Sequence, residues 1–303
     1  MLPRSNLFGG LYLGCPQWHQ RQWTQSIFPV ECTPKEALRC YARVFNAVEG
    51  NTTFYATPPK NVIERWASET PHSLRMVLKF PQEVTHERSL DLGAIDIALR
   101  FVDHMTPLGS RRSYTLIQLP SRFDERSFDC LYRFLQALPR ECSSGASLHY
   151  AVELRAPSLS TPSPDHYGLF EEVNDLLSAT RTERVWMDTR ALREASEPWD
   201  EPTRIAMERK PKLPVYPIGL GPAPMIRFVA HPQLSANSPW LKEWAQVFSH
   251  WLSEGRHPFF FAHYPGETLA PQVASLFYHH LRELNPSYPE RPIWPSERQL
   301  TLF

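Results

Sequence analysis

Eight short runs of apolar, β-branched and aromatic residues punctuate the chain, and a stretch of helical periodicity follows nearly every one. The runs fall at residues 11–14, 47–49, 75–80, 114–119, 150–154, 184–188, 225–229 and 259–263. Helices are predicted near 35–45, 59–69, 92–105, 124–138, 169–177, 239–253 and 269–284, while a proline-rich excursion follows the sixth run. Strands that are apolar on both faces need covering layers on both sides, which alternating helices supply. The pattern therefore predicts an α/β fold, a single TIM-type (β/α)8 barrel over residues 1–285. The alternative, a doubly wound open sheet, usually carries a Gly-rich phosphate turn after its first strand. Here Gly9-Gly10 precedes that strand, so the barrel is favoured.

Proline accounts for 30 of 303 residues and is concentrated at Pro198–Pro224 and Pro286–Pro295. Proline lacks the N–H that ladders and helix interiors require. Residues 189–224 are accordingly predicted as a long inserted loop, and 286–303 as an extended tail. With 32 basic and 32 acidic side chains the formal charge is zero, so any nucleic-acid contact must come from a local patch. No apolar run approaches the ~18 residues that cross a bilayer, and no membrane association is expected. The stretch before Cys15 is short and broken by two glycines, unlike a lipoprotein leader. Five cysteines without a CxxC pair point to reduced thiols in a cytoplasmic protein, with neither a disulfide frame nor a zinc site.

Barrel enzymes gather their chemistry where strands end and βα loops begin. Those positions here hold Trp18, Glu49, Asn51, Tyr55, Lys79, His86, Gln118, Glu153, Arg155, Asp188, Arg227 and His263. Period-two alternation places Glu153 and Arg155 on the face shared with Ala151, and Lys79 with Val77, directing these charges into the barrel. Two readings stand at this point. Glu153, Arg155, Asp188 and Arg227 form a structural ion-pair network, or Glu49, Glu153 and Asp188 supply catalytic carboxylates while Lys79 and His86 transfer protons or bind an anion. A metal on Glu49, Glu153, Asp188 and His263 is chemically allowable, but no HxH or HExxH spacing supports it. No metal or cofactor is expected. Cys15 reads as packing.

The run Val48-Glu49-Gly50-Asn51-Thr52-Thr53-Phe54-Tyr55 resembles the VExNxTFY signature of the YecE-like domain of unknown function 72 family. Lys79-Phe80-Pro81 with Thr85-His86, Gln118-Leu119-Pro120, Val152-Glu153-Leu154-Arg155, Asp188 and Ile226-Arg227-Phe228 follow in the family's order. Gly14-Cys15-Pro16-Gln17-Trp18 is similar to the YecE type itself, where many relatives have GTSxW. The resemblance implies a TIM-type barrel and no settled reaction. At strand eight many members have an FNN-type sequence, whereas this chain has Phe261-Ala262-His263-Tyr264.

Three functional expectations follow. The barrel mouth is expected to take a polar anionic small molecule or a nucleic-acid phosphate. Trp18, Asn51, Tyr55, Gln118, Arg155, Arg227 and His263 would bind it. Glu49, Lys79, His86, Glu153 and Asp188 would act in hydrolysis or lyase chemistry, with Glu153 or Asp188 as base and His86 as acid. Arg190, Arg193, Arg204, Arg209, Lys210 and Lys212 make residues 189–224 a candidate phosphate-contacting flap, against the alternative of a solvated loop. Finally, Gln299-Leu300-Thr301-Leu302-Phe303 resembles the QLxLF peptide by which bacterial DNA polymerases and repair proteins dock on the replication sliding clamp. Gln299 would make polar contacts, and Leu300, Leu302 and Phe303 would enter apolar pockets. The alternative is that these residues fold back on their own barrel.

Overall fold

The computed structural model describes residues 7–142, 145–162 and 168–300, with side chains of the last helix described to Glu297. Eight parallel strands close into one barrel in sequence order. They are β1 Tyr12–Cys15, β2 Ala47–Gly50, β3 Arg75–Lys79, β4 Arg112–Gln118, β5 His149–Glu153, β6 Thr182–Asp188, β7 Met225–Val229 and β8 Phe259–His263. Closure is completed by β8 beside β1, in register Tyr12 with Phe259 and Gly14 with Phe261. The predicted barrel is the observed one.

Side-chain alternation sorts the strands into two faces. Ala47, Val77, Leu116, Ala151, Val185, Met225, Phe259 and Phe261 pack together inside the barrel. Val48, Met76, Leu78, Ile117, Val152, Trp186, Ile226, Phe228 and Phe260 pack outward against the helices. Phe277, on the helix Ala270–Leu284, stacks on Phe260 with centroids 3.8 Å apart. Toward the C-terminal end the inward positions become polar at Glu49, Lys79, Gln118, Glu153, Arg227 and His263.

Two proline-rich regions differ from expectation. Residues 189–224 contain the helices Arg190–Arg193 and Glu201–Arg209. The second has Pro202 in its first turn, where the missing N–H costs nothing, and Asp200 accepts from the Thr203 N–H at 3.0 Å. The short link 194–200 and the longer stretch 210–224 are irregular. Nor do residues 286–297 stand off as a tether. The Tyr278 hydroxyl donates to the Pro289 carbonyl at 2.7 Å, and Arg282 Nε to that of Tyr288 at 3.2 Å. Trp294 is buried beneath the Arg291 guanidinium, 4.4 Å from its ring centroid. Among the described residues no helix is long and apolar enough to cross a membrane.

Candidate functional site

At the C-terminal end of the barrel the inward positions of five strands converge on one guanidinium. Arg227, from β7, donates Nε and Nη2 to the two oxygens of Glu49 on β2, each at 2.7 Å. Its Nη1 donates to Glu153 on β5 and lies 3.3 Å from Gln118 Oε1 on β4. Lys79 Nζ donates to the same Gln118 oxygen at 2.8 Å and sits 3.4 Å from Glu49. Arg227, Glu49 and Glu153 are each at most 1% exposed. His263, on β8, lies between Glu49 at 3.5 Å and Glu267 at 3.4 Å, but neither ring nitrogen makes a well-directed hydrogen bond.

The electrostatics follow from this arrangement. Burial opposes ionisation of Glu49, yet Arg227 and then Lys79 outweigh it and hold the carboxyl well below the usual range. Burial likewise opposes the Glu153 carboxylate, and Arg155 with Arg227 brings its pKa down to about 2. Lys79 moves the other way: burial and then Arg227 lower it to about 7, against the pull of Glu49 and Glu153. His86 is lowered to about 4 by burial, then by Arg155 and Arg122. The expected roles shift accordingly. Glu153 is a weak base, and His86 is neutral near pH 7 and not a ready acid. Lys79 is the group whose proton is exchangeable at neutrality.

The signature around Glu49 turns out to be mostly positional. Asn51 Nδ2 donates to the Pro16 carbonyl at 2.7 Å, tying the first βα loop to the second. The Thr53 hydroxyl donates to the Lys79 carbonyl at 2.8 Å, fixing β3 beside it. Phe54 then faces the site, with its ring 5.9 Å from Lys79 Nζ and 5.0 Å from the His86 ring. Tyr55, expected to bind ligand, points to solvent at 73% exposure. Trp18 packs edge-on against Trp66, 5.0 Å away, at the side of the mouth. Cys15 is buried and its backbone N–H donates to the Tyr41 hydroxyl at 2.7 Å, a packing position.

Asp188 does not join the cluster. Val185, three residues earlier, faces inward, so period-two alternation puts Asp188 on the outer face with Trp186. There it accepts from Trp244 Nε1 at 2.7 Å and from the Arg190 N–H and guanidinium at 2.9 to 3.2 Å. Arg190 continues to Glu243 at 2.9 Å, so Asp188 anchors the loop after β6 to the helix Ser238–Ser253.

Of the basic segment, one residue reaches the mouth. Lys210 interacts electrostatically with Arg227, Glu267, Arg155 and Glu49, and burial and the Arg227 charge lower its pKa. Arg193 donates to Met207 and the Lys210 carbonyl, and Arg204 is held by Glu201 and Glu208. Arg209 and Lys212 are exposed. Lys210 stands out in the sequence only within the basic run of the candidate flap; Phe54, Glu267 and Arg122, which donates to the His86 carbonyl, are site residues that the sequence did not single out.

Comparison with known proteins agrees with this picture of the fold. Residues 12–298 match the family described as "Protein of unknown function DUF72". UPF0759 protein YecE of Escherichia coli K12 is 31% identical over 290 residues, which covers 96% of this chain and 99% of the relative. UPF0759 protein YunF of Bacillus subtilis 168 is 32% identical over 79 residues, 26% of this chain and 27% of the relative. Among solved structures, a DUF72 family protein of Thermotoga maritima MSB8 aligns over 90% of this chain and 99% of its own, with TM-score 0.63 and 19% identity. One from Enterococcus faecalis V583 aligns over 93% and 98%, with TM-score 0.64 and 16% identity.

Proposed function

The chain belongs to the DUF72 family of proteins of unknown function, and from that premise we propose that its barrel mouth binds a small phosphate- or carboxylate-bearing molecule between Arg155 and Lys210. The observation that carries this reading is how the charges are distributed. Glu49 is shared by Arg227 and Lys79 and Glu153 by Arg227 and Arg155, which leaves Arg155 with spare N–H donors and Lys210 without a paired carboxylate. Arg155 donates Nε to Glu153, while Nη2 meets only the Met187 sulfur at 4.0 Å. Among the described residues Lys210 Nζ has no ion-pair partner within salt-bridge distance, although it lies in the field of four charged groups. Two cations with spare donors above a neutralised floor favour an anion. Lys79 beneath them supplies the base for proton abstraction, which favours lyase-type chemistry over hydrolysis driven by Glu153.

The expected result is saturable binding of a sugar phosphate, a dicarboxylate or inorganic phosphate in a thermal-shift screen. Arg155→Met and Lys210→Met should each weaken it about 10- to 100-fold, as loss of a charge-assisted hydrogen bond of about 1.5–3 kcal/mol requires. Any turnover should rise with pH through about 7, as Lys79 loses its proton. Equal affinity in wild type and both variants would sink the anion reading and leave the mouth a structural network. A short single-stranded oligonucleotide in the same screen separates a nucleic-acid phosphate from a small ligand, with a steep salt dependence marking the former.

A second proposal rests on sequence alone. Gln299-Leu300-Thr301-Leu302-Phe303 would dock on the bacterial sliding clamp and recruit the barrel to DNA metabolism. Leu302 and Phe303, like the side chains of Gln299 and Leu300, lie outside the described residues. A peptide covering residues 297–303, titrated against the clamp beside full-length and truncated protein, decides the matter. Binding no stronger than the truncated control removes the proposal.

A further inference from the structure

We propose that His279, His280 and Glu283, near the end of the helix Ala270–Leu284, form a binding site for a divalent first-row transition ion such as Zn2+. It lies on the outside of the barrel and is independent of the mouth. One imidazole nitrogen from each histidine and one carboxylate oxygen all lie within 4.8 Å of one another, the one such cluster among the described residues. Glu283 Oε1 is 3.3 Å from His279 Nε2, and Oε2 is 2.7 Å from His280 Nδ1. Donors of a tetrahedral ion with bonds of about 2.0–2.1 Å stand about 3.3 Å apart, so small side-chain shifts suffice to close the set. Helix geometry explains the convergence. At about 100° per residue, Glu283 falls angularly between the two histidines, within reach of both.

A further contact supports ligation. His280 Nε2 lies 2.8 Å from the Ser238 hydroxyl, on the helix Ser238–Ser253. Metal-bound histidines commonly have the second ring nitrogen fixed in this way, which orients the ligating lone pair. If Nε2–H is donated to Ser238, the unprotonated Nδ1 faces the Glu283 carboxylate at 2.7 Å, two acceptors that a cation between them would reconcile. The opposite tautomer, with Ser238 donating and Nδ1–H bound to Glu283, needs no ion, and the experiment must separate the two. A site on the last turns of a helix also favours positive charge. The N2O donor set suits Zn2+, Co2+ or Ni2+ and disfavours Mg2+ and Ca2+. His279 and Glu283 are exposed, so an ion has access and water completes its coordination. Lys242 also acts on Glu283 and competes for it, so binding should be weaker than at a closed structural site. Bound metal would staple the end of this helix where residues 286–297 turn back along it.

The test is calorimetric titration of the untagged full-length protein with Zn2+, together with the visible absorption of the Co2+ form. Wild type should bind one equivalent. His279→Ala and Glu283→Gln, both at exposed positions that should not disturb folding, are each expected to weaken that equivalent at least 10-fold. Ser238→Ala should weaken it by up to about 10-fold through lost orientation. Absence of a stoichiometric equivalent in wild type overturns the proposal. So does an equivalent whose affinity is the same in His279→Ala and Glu283→Gln, because the ion then sits elsewhere. Mg2+ binding as tightly as Zn2+ would also overturn it.

Discussion

Replacing Arg227 with methionine should destabilise the protein by roughly 3–5 kcal/mol at neutral pH, the usual cost of removing one partner from a buried ion pair. Methionine restores much of the volume, so the loss reports charge. Glu49 would stay inside the barrel with its principal counter-ion gone and Glu153 with one of its two, leaving Lys79 and Arg155 to compensate in part. The pH dependence has a definite sign. In wild type both glutamates are depressed, Glu153 to about 2, so their stabilisation is present above the unfolded carboxyl value near ~4.3 and is lost as pH falls towards 2. In Arg227→Met the same glutamates resist ionisation, so their penalty is greatest at neutral pH and is relieved by acid. The gap between the two proteins should therefore narrow from pH 7 to pH 4 in urea unfolding. Adding Glu49→Gln and Glu153→Gln to the variant should recover part of the loss. A loss under about 1 kcal/mol at pH 7, or a gap that widens in acid, would contradict this account of the mouth.

Asp188→Ala should cost roughly 2–3 kcal/mol, the scale of lost charged hydrogen bonds with a buried donor left unpaired. The donor is Trp244 Nε1, and Arg190 would lose its inner partner and keep Glu243 and the face of Trp240. The loop after β6 should loosen, visible as faster amide exchange over residues 189–200, while anion affinity at the mouth stays within a few-fold of wild type. Abolished ligand binding with unchanged stability would instead return Asp188 to the catalytic set. The contrast with Arg155→Met distinguishes an anchoring aspartate from a binding arginine.

Much of the fold was legible because strands buried on both faces must be apolar over their whole length, a signal that does not depend on partners far away. The polar strand ends were legible for the same reason: Glu49, Lys79, Glu153 and Arg227 interrupt otherwise apolar runs. Asp188 was misassigned although its own strand held the correction. Alternation places it with Trp186, and an indole is a better guide to the helix side than a carboxylate is to the mouth. Tyr55 and Phe54 could not be told apart, because the short helix Thr52–Tyr55 sets which ring turns inward. Lys210 and Glu267 reach the site from loops, whose paths no local periodicity encodes. The proline cluster made all of 189–224 read as a long loop, because a first-turn proline such as Pro202 and a loop proline look alike until the cap at Asp200 is weighed with it.

The Arg227 crossing has a consequence for how the barrel assembles. Its two glutamate partners lie 178 and 74 residues earlier in the chain. Contacts that distant form only after long loops have closed. During synthesis, a chain that has emerged only through β6 already carries both carboxylates but, of the cations that offset their burial, only Lys79 and Arg155. Early strands can pair and collect their helices, while full drying of the inner wall is expected only once β7 docks in register and Arg227 closes the set of charges.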